Sequence, residues 1–167
     1  SVHDGTHLQV YQTALGRLKL ALGDPIAAKV AFESALAHTA DYWAANHGLS
    51  NYLEQTGDLT GAVEKLRASY RAQPELYHLE RELGSLLVRA GMSDEGSKIL
   101  MKVAARAPSA KTHVELATAL MTSGHKQMAG AEFEKAVMLE PKSARARVAF
   151  AEWLTKVGQF DAANEQY

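Results

Sequence analysis

The sequence predicts an all-α fold made of helix pairs that repeat along the chain and pack against their neighbours. First, hydrophobic residues make up 47% of the 167 residues but aromatic ones only 7%, a balance that favours helices packed at close range. Second, apolar residues recur at helical spacing. Third, glycines recur at intervals of 34, 34, 33 and 34 residues, at Gly23, Gly57, Gly91, Gly124 and Gly158. A period of about 34 residues indicates a row of stacked units in place of one globular core.

The first helix of each unit precedes the repeated glycine. Apolar residues at i, i+3, i+4 and i+7 predict an amphipathic helix, as in the run Leu76, Leu79, Leu83, Leu86 and Leu87. A large apolar residue stands eight positions before each glycine and is predicted to be buried: Leu15, Leu49, Leu83, Leu116 and Phe150.

The second helix follows the glycine, which is expected to end the first helix in a left-handed conformation. Asp24-Pro25, Asp58 and Ser93 are suited to capping the second helix or shaping its first turn. A small residue five positions after each glycine lets the two helices approach closely: Ala28, Ala62, Gly96, Ala129 and Ala163. Prolines seventeen positions after three of the glycines mark the unit boundaries: Pro74, Pro108 and Pro141.

These columns resemble the tetratricopeptide repeat family. Leu83-Gly84-x2-Leu87, Gly96-x3-Leu100 and Pro108 follow its pattern. The resemblance implies a right-handed α-solenoid, a superhelix of antiparallel helix pairs. The predicted units are an N-terminal tail at 1–6 and repeats at 7–40, 41–74, 75–108, 109–141 and 142–167, the last with a truncated second helix. The family's first-helix tryptophan is absent, and its replacements are expected to loosen individual helix pairs: Gln12, Asn46, Glu80, His113 and Arg147.

Charge and composition exclude several classes of function. Eighteen Lys and Arg residues against 19 Asp and Glu residues give a net charge of -1, which argues against a nucleic-acid binder. The absence of cysteine excludes disulfides, thiolate nucleophiles and cysteine-ligated metal centres. No apolar run is long enough to span a membrane. We expect a soluble bacterial protein of the cytoplasm or the periplasm, compartments that the lack of cysteine does not distinguish.

No motif predicts catalysis or a cofactor. Phosphate-binding loops, nucleophile elbows and zinc-hydrolase motifs are missing from the sequence. His3 and His7 lie four residues apart but have no further ligands at metal-binding spacing. His47, His78 and His113 occupy different repeat phases and are interpreted as surface or groove histidines. The sequence therefore predicts a protein that is not an enzyme and holds neither metal nor cofactor.

The resemblance implies that the first helices line a concave groove that binds peptides. The candidate groove residues are polar or basic: His47, Asn51, His78, Arg81, Ser85, Arg89, Lys111, Thr118 and Arg145. His78, Lys111 and Arg145 occupy equivalent positions and predict an acidic partner segment. The alternative is that glutamates neutralise this row through helical i, i+4 pairs, as between Lys111 and Glu115.

Three functions are compatible with these features. The leading one is a non-catalytic scaffold or adaptor that binds a peptide or helix segment of a protein partner. The second is the recognition arm of a larger enzyme, such as a glycosyltransferase, whose catalytic domain lies outside these residues. The third is self-assembly through the open fifth repeat or through an apolar face of the first helix, assigned to Val10, Ala14, Leu20 and Ala21.

Overall fold

A computed structural model describes the backbone of residues 2–167 and the side chains from Thr6 onward. Within this range the chain forms ten helices and no strands, which confirms the predicted all-α class. The helices are α1 (Val2–Ala21), α2 (Pro25–Leu36), α3 (Trp43–Thr56), α4 (Leu59–Ala72), α5 (Tyr77–Arg89), α6 (Ser93–Arg106), α7 (Ala110–Thr122), α8 (Lys126–Leu139), α9 (Ala144–Lys156) and α10 (Phe160–Gln166).

The turns inside the helix pairs follow the sequence prediction closely. All five repeated glycines have positive φ, between 76° and 88°, a region where a side chain would be strained. Asp24 and Asp58 cap the helices that follow by accepting hydrogen bonds from the backbone N–H groups of Ala27 (3.1 Å) and Gly61 (2.9 Å). Ser93 is buried and is the first residue of α6, so it belongs to the first turn of that helix and is not its N-cap.

The chain divides into two compact units, residues 1–79 and 80–167, with the boundary inside α5. In the first unit the fully buried Phe32 on α2 packs with Ala28 and Leu49. Its ring lies against Gly16 on α1 and Gly48 on α3, where any Cβ atom would overlap it. The two glycines therefore make the space that the large aromatic side chain fills.

In the second unit the core centres on α7, whose Leu116 and Leu120 pack with Phe133 of α8. The backbones of α5 and α6 approach so closely that a Cβ on Gly96 would lie 2.7 Å from the carbonyl oxygen of Gly84. This contact confirms that small residues at these columns permit close helix approach.

Polar contacts occupy the column where the family has tryptophan. Asn46 is buried and its Nδ2 donates to the carbonyl of Ala40 at 2.9 Å. In the later repeats the residue on the first helix binds a group on the second helix: Glu80 to Arg106, His113 to Glu132, and Arg147 to the carbonyls of Glu165 and Gln166. In the third, fourth and fifth repeats the missing tryptophan is thus replaced by a polar contact that joins the two helices of the pair.

Candidate functional site

In the first unit, two of the predicted site residues meet. His47 on α3 and His78 on α5 have ring centroids 6.3 Å apart, with the rings tilted by 58°. His47 is half-buried, whereas His78 and Asn51 are exposed. The two histidines lie on the first helices of two consecutive repeats and are therefore neighbours, although they occupy different positions within their repeats.

The third histidine of that prediction lies elsewhere. His113 is only 7% exposed and binds Glu132, so its interpretation as a surface or groove histidine was wrong. The side chain of His3 lies outside the described residues. Among the side chains that the structure describes, no three His, Asp or Glu residues are close enough together to hold a metal ion.

In the second unit, Arg81 on α5 forms a salt bridge with Glu115 on α7. The arginine Nη1 lies 2.9 Å from Oε1 and 3.1 Å from Oε2 of the carboxylate. Both side chains are mostly buried, with 20% and 12% of their surface exposed. Arg81 is therefore held in a contact between neighbouring repeats. Glu115, which the sequence offered as an i, i+4 partner of Lys111, binds this arginine instead.

Three further candidates lie on the same helices. Ser85 is half-buried, and its hydroxyl oxygen is shielded from solvent with no hydrogen-bond partner among the described residues. Thr118 is exposed, and its hydroxyl donates to the carbonyl of Val114 at 2.8 Å. Arg89 is exposed in the last turn of α5. Arg89 and Thr118 therefore add exposed polar groups to the first helices of the second unit, whereas the hydroxyl oxygen of Ser85 is not accessible from solvent.

The structure brings Lys111 of α7 and Arg145 of α9 to the same cavity. The cavity has a volume of about 90 Å³ and an apolar floor formed by Ala110, Val114 and Ala146, and its other lining residues are Glu140 and Ser143. A single water needs roughly 10–15 Å³ of such volume, so the space admits a small group such as a carboxylate. Two cations against the one carboxylate of Glu140 leave the lining with a net positive charge.

His113 lies on α7, is buried and belongs to a polar network with Glu132 and Lys135. His113 Nδ1 lies 2.6 Å from Glu132 Oε2, and Lys135 Nζ donates to Glu132 Oε1 at 2.7 Å. Burial alone would raise the pKa of the Glu132 carboxyl, but hydrogen bonds and charge from Lys135 and His113 outweigh it and lower that pKa. Glu132 is therefore ionised at neutral pH and holds α8 to α7.

Two lining residues were missed by the sequence reasoning. Ser143 is the N-cap of α9, with its hydroxyl accepting from the N–H of Ala146 at 3.4 Å, and Glu140 lies in the connection before it. Neither belongs to a first helix, so the search confined to first-helix faces passed over both. The role of Glu115 was also misassigned, although its separation of 34 positions from Arg81 is one repeat length.

The comparisons with known proteins bear on the family. Residues 110–143 match the family model described as tetratricopeptide repeat. The chain contains a tetratricopeptide repeat. This match confirms the resemblance that the sequence columns carry. No curated protein matches the chain at the sequence level.

Solved structures of tetratricopeptide-repeat proteins share the fold. The MamA protein of Desulfovibrio magneticus RS-1, from its residue 41 to the end, superposes with a TM-score of 0.84 at 18% identity over 95% of this chain and 90% of that one. A MamA structure from MSR-1 gives 0.75 at 25% identity, with 95% of each chain covered. YrrB, described as a TPR protein with an unusual peptide-binding site, gives 0.75 at 17% identity over 93% of this chain and 80% of that one.

Tetratricopeptide-repeat proteins are in general interaction scaffolds, and the likeness to these structures is one of fold. Within the part of the chain that the structure describes, no helix combines the length and the apolar character that crossing a bilayer requires.

Proposed function

We propose that this chain is a non-catalytic scaffold that binds an acidic segment of a protein partner on the first-helix face of its second unit. The observation that carries the proposal is the convergence of Lys111 and Arg145 on one small cavity. The two residues are 34 positions apart, so consecutive repeats place equivalent basic side chains side by side.

Charge supports an acidic ligand over a basic one. Lys111 and Arg145 are both exposed, whereas Arg81 is already bound to Glu115. A carboxylate entering the cavity would meet two exposed cations together with the apolar side chains of Val114 and Ala146. The binding energy would then combine charge-assisted hydrogen bonds with burial of the apolar part of the ligand side chain.

A segment of several residues fits this face better than a single small molecule. Thr118, which follows Lys111 by seven residues on α7, offers a further exposed polar side chain, and the cavity itself holds only one small group. Binding strength is therefore expected to come from several weak contacts along adjacent repeats.

Fluorescence anisotropy with labelled peptides tests the proposal. One peptide alternates aspartate with leucine, and its matched control carries asparagine in place of each aspartate. We expect the aspartate peptide to bind more tightly and to lose affinity as salt is added, because salt screens exposed charges. Equal binding of both peptides at low salt would contradict the proposal.

A further inference from the structure

The first helix and Leu22 just after it carry a stripe of apolar side chains, of which all but the half-buried Leu15 are exposed. The members of this α1 stripe are spaced 3, 4, 3 and 4 residues apart, at Leu8, Tyr11, Leu15, Leu18 and Leu22. Tyr11, Leu18 and Leu22 are 62%, 55% and 71% exposed. Such spacing lines up side chains along one side of a helix and is typical of a face that packs on another helix. The apolar face expected on this helix was assigned to Val10, Ala14, Leu20 and Ala21, and none of these four belongs to the α1 stripe. Leu20 is half-buried and packs against the cluster of Ala28, Phe32 and Leu49.

Equivalent positions in the later repeats show what such a stripe packs against. The counterparts of Tyr11 are Ala45, Leu79, Thr112 and Ala146, and all four are buried. The counterpart of Leu15 in α3 is Leu49, which packs with Ala28 and Phe32 of the preceding second helix. The α1 stripe therefore has apolar side chains at the positions that pack against a second helix in the later repeats.

The pair formed by α8 and α9 shows this contact in detail. Trp153 is the counterpart of Leu18 on α9, and its ring lies directly over Gly130 of α8. Its Nε1 donates to the carbonyl of Lys126 at 3.2 Å. A first helix thus contacts the preceding second helix at the positions of Lys126 and Gly130.

The same columns of α10 are exposed. Phe160 and Tyr167, the counterparts of Lys126 and Phe133, are 63% and 72% exposed. Arg147 fixes α10 on α9 by donating to the carbonyls of Glu165 (2.7 Å) and Gln166 (2.8 Å). We call Phe160, Asn164 and Tyr167 the α10 face.

Charges around the two apolar surfaces are complementary. The described charged side chains of α1 are Arg17 and Lys19, and Lys19 lies 3.9 Å from the Asp24 carboxylate. Residues 160–167 contain Asp161 and Glu165 and no cation. Two α1 stripes, or two α10 faces, would bring like charges together. One of each brings opposite charges together, which favours pairing between unlike surfaces.

We propose that the α1 stripe of one chain packs on the α10 face of a second copy, as α9 packs on α8 within a chain. The contact is heterologous, because the two partners use different surfaces, and each added chain again presents one free surface of each kind. The chain therefore assembles head to tail beyond a dimer. This inference does not depend on the peptide-binding proposal.

Sedimentation velocity of the full chain over a dilution series tests the inference with three variants. Leu18→Glu blocks the stripe, Phe160→Glu blocks the α10 face, and Met138→Glu changes an equally exposed apolar residue on α8 as the matched control. All three positions are exposed, so the variants are expected to keep their helix content, which circular dichroism checks.

The expected mass of the wild type and the control grows with concentration beyond two chains, whereas each blocked variant alone stays a monomer. An equimolar mixture of Leu18→Glu and Phe160→Glu is expected to form a dimer and nothing larger, since only one junction remains available. A wild type that is monomeric throughout, a Phe160→Glu variant that still associates, or a mixture that stays monomeric would each overturn the inference.

Discussion

Arg81 and Glu115 join two consecutive repeats through a largely buried salt bridge, with Nη1 and Oε1 2.9 Å apart. The residues are 34 positions apart, so the bridge links the first helices of neighbouring repeats, α5 and α7. A buried carboxylate has lost its hydration on folding, and removal of its cation leaves that loss uncompensated. The bridge is therefore expected to stabilise the packing of the second unit and to hold its first-helix face in place.

Replacing Arg81 by alanine is expected to lower the free energy of unfolding by about 2 kcal/mol, because Glu115 is left buried without its partner. Urea unfolding followed by circular dichroism measures the change. Arg81→Ala combined with Glu115→Gln should recover part of the loss. Lys102→Ala, an exposed change on α6, serves as the control and should stay within about 0.5 kcal/mol of wild type. A neutral Arg81→Ala would contradict the assigned role of the bridge.

The lowered pKa of Glu132 predicts an acid-sensitive contact between α7 and α8. A carboxyl whose folded pKa lies below its ordinary value of 4.5 contributes stability above that value, and the contribution is lost as the pH falls through the folded pKa. The unfolding free energy of wild type should therefore fall more steeply below about pH 4.5 than that of Glu132→Gln, because the variant has no charge to lose.

Urea unfolding at a series of acidic pH values measures this difference. Glu134→Gln removes an exposed carboxylate on the same helix and is the matched control, expected to follow the wild-type pH dependence. Parallel curves for wild type and Glu132→Gln would contradict the assigned network of His113, Glu132 and Lys135.

Phe32 fills the space that two glycines leave open, so Gly48→Ala should destabilise the first unit by about 1–3 kcal/mol through overpacking. The double variant with Phe32→Leu should lose less stability than the sum of the single changes, since the smaller side chain makes room for the new methyl group. Thermal unfolding of the four proteins measures the coupling. Strict additivity would show that Gly48 and the Phe32 ring do not compete for the same space.

Much of the fold follows from the sequence because each repeat imposes the same local demands. A glycine with positive φ is required wherever the first helix ends, and Gly57 and Gly158 meet that demand equally. The column of Leu49, Leu83 and Leu116 is buried for the same reason, whereas Leu15 and Phe150 of that column, also predicted to be buried, are only half-buried. Repetition therefore makes the helices and the core predictable without knowledge of long-range contacts.

Side-chain partners were less predictable, because they depend on which helices become neighbours. The i, i+4 rule offered Lys111 as a partner of Glu115, yet Arg81 reaches it across one repeat. His113 was expected on the surface. Its position in the repeat instead faces the second helix, where it contacts Glu132. By contrast, Lys111 and Arg145 share a column, and the register alone indicated that they would be neighbours.

The most direct measurement of the central claim is the affinity of the aspartate–leucine peptide for Lys111→Glu combined with Arg145→Glu. The matched control is Lys98→Glu combined with Lys102→Glu, which reverses two exposed cations on α6 and changes the net charge equally. We expect the first variant to bind at least about tenfold more weakly, a loss of about 1.4 kcal/mol, with unchanged helix content and with the control near wild type. Wild-type affinity in the first variant, or an equal loss in the control, would contradict binding at the cavity between α7 and α9.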